Sequence, residues 1–167
     1  MLRRLFLLRL CLASVLASVL AAVLWASPPQ PARAQARAPV VLTVEEAHRR
    51  ALKGELVLID IRRPSEWRHT GLPASGHAIS MYQGGMQFLV GVLQAAGGDR
   101  SKPIALICAT GARSAYIQGV LRRHGFSAVS NVAAGMEGGR YGRGWVRSGL
   151  PVRPWTGRNA APTPPAR

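Results

Sequence analysis

Apolar and polar positions alternate along the chain in blocks that predict strands and helices in turn. Leu56-Val-Leu-Ile-Asp-Ile61 is short, continuous and β-branched, the pattern of a strand covered on both faces. Pro103-Ile-Ala-Leu-Ile107 repeats it, and the run Ile104 to Cys108 reads as a second buried strand. His77 to Met81 and Ala128 to Val132 are weaker strands. Between them lie helical spacings. Thr43-Val-Glu-Glu46 has the form of a capping box, so Val44 to Leu52 should be a helix stopped near Gly54. Ser65-Glu66-Trp67 reads as one helical turn after Arg63-Pro64. Met86 to Ala96 is a helix stopped by Gly97-Gly98, and Arg113 to His124 is another, closed by Gly125. Alternating strands and helices predict an α/β fold: a small central parallel β-sheet flanked by helices on both faces. Gly135 to Pro151 is glycine-rich and reads as irregular.

The ends have a different composition. Arg3, Arg4 and Arg9 precede the apolar run Leu10 to Trp25, and Ala34-Gln-Ala36 follows, the form of a secretory signal peptide over residues 1–36. The expected organisation is then a linker at 37–41, a domain at 42–155 and a disordered proline-rich tail at 156–167. Cleavage after Ala36 would remove Cys11 and place the rest of the chain in the periplasm or outside the cell, with no membrane contact remaining. The whole sequence carries 22 basic and 7 acidic residues, a net charge of +15. Loss of Arg3, Arg4, Arg9 and Arg33 leaves 18 basic residues against 7 acidic, or +11. These arginines are scattered, with no run longer than the pairs Arg49-Arg50, Arg62-Arg63 and Arg122-Arg123. That distribution argues against nucleic acid and for a solvated basic surface that attracts small anions or an acidic protein.

The candidate chemistry sits in Cys108-Ala-Thr-Gly-Ala-Arg-Ser114. A thiol at the carboxyl end of a buried strand stands where open α/β sheets hold ligands. The helix that follows aims its N–H groups at the sulfur, which favours thiolate and binds anions. Gly111 allows a positive φ, so the N–H groups of Ala109, Thr110, Gly111, Ala112, Arg113 and Ser114 can converge on one centre. Arg113 adds a planar cation suited to an oxyanion. Cys108 is therefore the expected nucleophile, acting on an anionic substrate. His48, His69, His77 and His124 have no ligand spacing with one another or with Cys108, so no metal and no cofactor are expected.

The same loop resembles the active-site loop of the rhodanese family of sulfurtransferases. Val57-Leu-Ile-Asp-Ile-Arg62 with Glu66-Trp67, Gly76-His77-Ala78-Ile79 and Gly149-Leu150-Pro151-Val152 resemble further motifs of that family, in family order. The resemblance implies a single rhodanese domain whose Cys108 takes a sulfane sulfur from thiosulfate or a persulfide, becomes a persulfide itself, and passes the sulfur to a thiol or to cyanide. Arg113 and Arg62 would attract the donor, while Asp60, Glu66 and His77 would support the site structurally. An exported acidic sulfur carrier would suit the basic surface as a partner.

Two departures narrow the expectation. Ala109 stands where thiosulfate-preferring members often carry a basic residue, and the Gly-Ser-Gly pattern of mercaptopyruvate users is missing. Two rivals stay open. One is a non-catalytic rhodanese-like module that binds or senses through Cys108. The other is a cysteine phosphatase or arsenate reductase, whose loop places five residues between Cys and Arg, where Cys108 and Arg113 enclose only Ala109, Thr110, Gly111 and Ala112.

Overall fold

A computed structural model describes residues 40–157. The segments read as a signal peptide and most of the proline-rich tail lie outside the described residues. Strand β1 (Val40–Leu42) leads into α1 (Val44–Leu52), where the Thr43 hydroxyl accepts from the Glu46 N–H at 3.1 Å as the capping pattern requires. Then follow β2 (Val57–Asp60), α2 (Pro64–Thr70), β3 (Leu72–Pro73), β4 (Gly76–Ala78), α3 (Gly85–Ala95), β5 (Ile104–Ile107), α4 (Ala112–Arg123) and β6 (Val129–Val132). Short strands β7 (Gly138–Gly139), β8 (Gly142–Arg143) and β9 (Val152–Arg153) close the domain.

The central sheet has five strands in the order β1-β6-β5-β2-β4, every pair parallel. Because both faces are covered, neighbouring residues of one strand enter different cores. Ile59, Ile104, Leu106 and Val129 pack with Phe88 and Val92 of α3 and Ile117 and Leu121 of α4. Leu58, Ala105, Ile107 and Val132 pack with Val44 and Ala47 of α1 and with Trp145. The α/β fold expected from the alternation is the one observed. From β2 the chain moves outward to β4, then returns to β5 on the other side of β2 and continues to β6. The sheet order therefore reverses between β2 and β5, which opens a crevice at their carboxyl ends. Asp60 and Ile107 are register partners, so the residues after them, including Cys108, meet at that crevice.

Several boundaries differ from the sequence reading. Val40 and Val41, placed in a linker, belong to β1 and pair with Ser130 and Asn131 of β6. A three-residue edge strand has too few positions to show a period. The single turn expected after Pro64 is a seven-residue helix, because Pro64 starts it and Glu66 reaches back to the Arg63 N–H at 3.0 Å. The strand expected at His77 to Met81 is assigned only over Gly76–Ala78, although the Ile79 and Met81 N–H groups still donate to Asp60 O and Ile61 O. The Gly135 to Pro151 stretch contains a β7–β8 hairpin, and β9 pairs antiparallel with β3. Trp155, the last residue of the expected domain, packs against Trp67 with ring centroids 5.4 Å apart.

Arg62 requires the largest correction. Expected to face substrate, it is fully buried, and its guanidinium donates to Asp60 Oδ1 and Oδ2, to Thr70 Oγ1 and to Gly71 O. It ties the end of β2 to the end of α2. Burial pushes the Asp60 carboxyl above its ordinary value, against the pull of the Arg62 guanidinium and N–H. Removing one partner of such a pair strands a buried charge. Arg62→Met is expected to lower unfolding free energy by about 3–5 kcal/mol in urea titrations, whereas exposed Arg68→Ala should stay within about 0.5 kcal/mol.

Candidate active site

Cys108 follows β5 directly and is 1% exposed. Its sulfur receives the Gly111 N–H at 3.2 Å. The Ser114 hydroxyl stands 3.3 Å from the sulfur and 3.1 Å from Gly111 O, so its single proton can serve either. Gly111 has φ +88°, and a Cβ there would lie 1.9 Å from Ala133 O, so this turn accepts only glycine. The loop then enters α4, whose first N–H groups have no intrahelical partner and face the cysteine end of the sheet. Ala109 is half-buried, Thr110 and Ala112 are exposed, and Ser114 is buried. The sulfur is thus met by one backbone N–H and one hydroxyl.

A second turn, which sequence reasoning left as irregular loop, braces the first. Met136 N–H donates to Cys108 O at 2.8 Å and Glu137 N–H to Ala109 O at 2.9 Å. Gly135, at φ +64°, approaches so closely that a Cβ would lie 2.3 Å from Ala109 O. The signal available was Ala133-Ala134-Gly135 directly after a strand: small residues where two backbones touch.

Arg113 does not stand free in the cradle. Its Nη1 donates to Glu66 Oε2 at 2.9 Å and its Nη2 to Glu66 Oε1 at 2.5 Å, a bidentate pair between α4 and α2 with about three-quarters of each side chain buried. The Arg113 hydrogen bonds, aided by the Arg63 N–H and opposed by burial, hold the Glu66 carboxyl down at about 2. The pair in turn keeps Arg113 more firmly protonated than an isolated arginine, and Tyr82 and Cys108 contribute to that field. Arg63, not Arg62, is the exposed cation nearby; its guanidinium lies 4.0 Å from the centre of the half-exposed Tyr82 ring. Sequence reasoning missed both Arg63 and Tyr82.

The remaining candidates sit elsewhere. Asp60 is fully buried against Arg62. His77 lies on edge strand β4, where burial first and Arg153 second lower its pKa. Among the described residues no three His, Cys, Asp or Glu side chains gather to hold a metal ion, and no helix is long and apolar enough to cross a membrane.

The site is thus a buried cysteine that accepts a loop N–H at the switch point of a parallel sheet, with its loop arginine held by a carboxylate. Comparison with known proteins names the class: residues 43–140 match the Rhodanese-like domain model, and the chain belongs to that family. Its function is accordingly sulfur-related. No curated protein matches in sequence. Among solved structures, the chain is similar to the polysulfide-sulfur transferase homodimer of Wolinella succinogenes (27% identity, 73% of this chain and 83% of that one, TM-score 0.54). It is also similar to the Rv0390 protein of M. tuberculosis (25% identity, 70% and 97% coverage, TM-score 0.54). The thiosulfate sulfurtransferase of Pseudomonas aeruginosa shares the fold (22% identity, 70% of this chain and 20% of that one, TM-score 0.54).

The Glu66–Arg113 pair makes stability depend on pH with a definite sign. Glu66 titrates lower in the folded chain than its ordinary 4.5, so its contribution is complete above that value and is lost as pH falls towards about 2. Thermal unfolding should therefore show Glu66→Gln less stable than wild type at pH 6, with the gap closing between pH 4.5 and pH 2.5. A gap that is constant with pH would contradict the assignment.

Proposed function

We propose that the chain is a sulfurtransferase that carries one sulfane sulfur on Cys108. The Cys108 thiolate attacks the outer sulfur of the donor. A new S–S bond forms, the donor's own bond to that sulfur breaks, and the leaving group (sulfite from thiosulfate, a thiolate from an organic persulfide) departs with the electron pair. An acceptor thiolate or cyanide then attacks the outer sulfur of the Cys108 persulfide, and the Cys108 thiolate leaves. No external oxidant or reductant enters, and no general base is needed once the thiol is ionised.

The observation that carries this reading is the pair of donors on Cys108 Sγ, Gly111 N–H and the Ser114 hydroxyl, at the mouth of a ring sized by four intervening residues. Such a ring suits one added sulfur better than a tetrahedral phosphate, which weighs against a phosphatase. The rival of a non-catalytic module that binds or senses through Cys108 is weighed against by the presence of both Cys108 and the loop arginine Arg113, which such modules would be expected to lose. The committed state of Arg113 bears on the donor. With its charge shared by Glu66 and with Ala109 neutral, little fixed positive charge is left for the thiosulfate dianion, so persulfide and polysulfide donors are favoured over thiosulfate.

Incubation with a persulfide or polysulfide, read by intact mass, should add one sulfur, about 32 Da, that Cys108→Ser lacks and that cyanide discharges as thiocyanate. Loading by thiosulfate should be slower at equal concentration. No adduct on a verified reduced thiol would overturn the proposal.

The basic surface and the signal-like N-terminal segment extend the same proposal to an exported acidic sulfur-carrier protein as the acceptor. Transfer to such a carrier should slow as salt rises from 0.05 to 0.5 M, while transfer to cyanide should change far less. Salt-independent transfer to every acidic carrier tested would count against that partner.

A further inference from the structure

Helix α3 is apolar on both of its sides. Phe88 and Val92, 3% and 0% exposed, belong to the core cluster with Ile59, Ile104 and Leu106 of the sheet. The 3.6-residue period places Met86, Val90 and Leu93 on the opposite side. Met86 is 70% exposed and Val90 44%, while Leu93 is half-buried at the border. Gln87 and Gln94 are the only polar side chains of the helix, and both are exposed. A helix that is apolar all round is normally covered on every side. With 11 residues α3 is about 16 Å long, too short to span a bilayer. A helix lying on a lipid surface carries Lys and Arg beside its apolar face, and α3 has neither.

Charge decides what covers this face. The whole sequence carries 22 basic residues against 7 acidic ones. Yet Ala78 to Gly98 holds no charged residue, the longest such run between Val40 and Gly157. Every other helix carries arginine: Arg49 and Arg50 in α1, Arg68 in α2, and Arg113, Arg122 and Arg123 in α4. Two copies of so basic a chain repel one another wherever cations face cations. On α3 they can meet without doing so. An acidic partner, by contrast, finds no cation on α3 to pair with. The face is also complementary to itself. Val90 is the middle residue of Gly85–Ala95, so in an antiparallel pair of α3 helices it meets its own counterpart across a two-fold axis. Met86 of one copy then lies beside Leu93 and Gln94 of the other.

We infer that α3 is the contact face of a symmetric dimer, in which a second copy of this chain lays its own α3 antiparallel across Met86, Val90 and Leu93. The inference stands apart from the sulfur-transfer reading, since it uses no residue of the cysteine loop. The surface is small. One side of a single short helix falls below the ~800 Å² per partner that a standard interface buries, so the dimer is weak and builds up with concentration. Salt acts on it in the sense opposite to an acidic carrier. Screening reduces the repulsion between two like-charged copies while leaving apolar contact intact, so the dimer tightens as salt rises.

Sedimentation equilibrium of the full chain, from about 5 to about 500 μM, should show an average mass that rises from one chain towards two. Raising NaCl from about 0.05 to about 0.5 M should tighten the association. Met86→Glu and Val90→Glu, both at exposed positions, should each weaken it by at least about tenfold, although each lowers the net charge and with it the general repulsion. Leu52→Glu, at an exposed position of α1 on the other side of the sheet, should not weaken it. Val90→Lys should be monomeric like Val90→Glu, and mixing the two should restore a one-to-one dimer, because the two-fold axis brings these positions together. A mass that stays at one chain over the whole range overturns the inference. So does a dimer that Met86→Glu and Val90→Glu leave unchanged, or one that dissociates as salt rises. A monomeric wild type that binds anionic vesicles and loses them on Val90→Glu would assign the face to lipid and overturn it as well. Sulfur loading of Cys108 is read separately by intact mass, and Val90→Glu should load as the wild type does. Failure of loading therefore leaves the dimer standing, and failure of the dimer leaves the transfer reading standing.

Discussion

The close approach of two backbone turns, Cys108 to Gly111 on one side and Ala133 to Glu137 on the other, is the constraint on which the rest of the site depends. Gly111 and Gly135 each take a positive φ, and at each a single Cβ would collide with a carbonyl oxygen of the opposite turn. Two hydrogen bonds, from Met136 N–H and Glu137 N–H to the carbonyls of Cys108 and Ala109, fix the spacing. The braced loop presents the Gly111 N–H to the Cys108 sulfur at 3.2 Å, so the backbone donor at the sulfur is positioned by the packing of the two turns. Sheet topology supplies the frame, since β5 and β6 are adjacent and parallel and both turns leave their carboxyl ends.

Side-chain charge at this end of the sheet is largely spent on structure. Arg62 satisfies Asp60, Thr70 and Gly71 in the interior, and Arg113 joins α4 to α2 through Glu66. Both pairs reach α2, a helix otherwise anchored by Trp67 in a small cluster with Leu72, Ala78 and Trp155. The arrangement couples the shape of the cradle to the position of α2 while leaving the ring itself nearly neutral apart from its dipoles. On the proposed reading, such a site suits a persulfide, with a single negative charge on sulfur, better than a dianionic donor. The exposed cations, Arg63 over Tyr82 and Arg140 over Tyr141, stand around the loop and not within it.

Much of this was legible in the residues. The buried strands before Asp60 and Cys108, the capped helix after Thr43, and the cysteine loop with its glycine and arginine follow from local pattern, and the family motifs placed them in order. What was not legible depends on contacts between distant segments. Arg62 looked like a substrate cation because nothing local shows that Thr70 and Gly71 close over it. Arg113 was expected to face a ligand because its partner Glu66 lies far back in the chain. Val40 and Val41 gave no strand signal because their pairing partner is β6. The bracing role of Gly135 arises only when the turn after β6 folds beside the cysteine loop. Local chemistry was readable, and the commitments of charged side chains were not.

The most direct test of the central claim is a crystal structure of the reduced protein after exposure to polysulfide. The account predicts a second sulfur bonded to Cys108 Sγ, about 2.05 Å away, enclosed by N–H groups of Ala109 to Arg113, with Arg113 still paired to Glu66. An unmodified Cys108, or a bound sulfur species that leaves the ring of N–H groups empty and draws Arg113 away from Glu66, would contradict it.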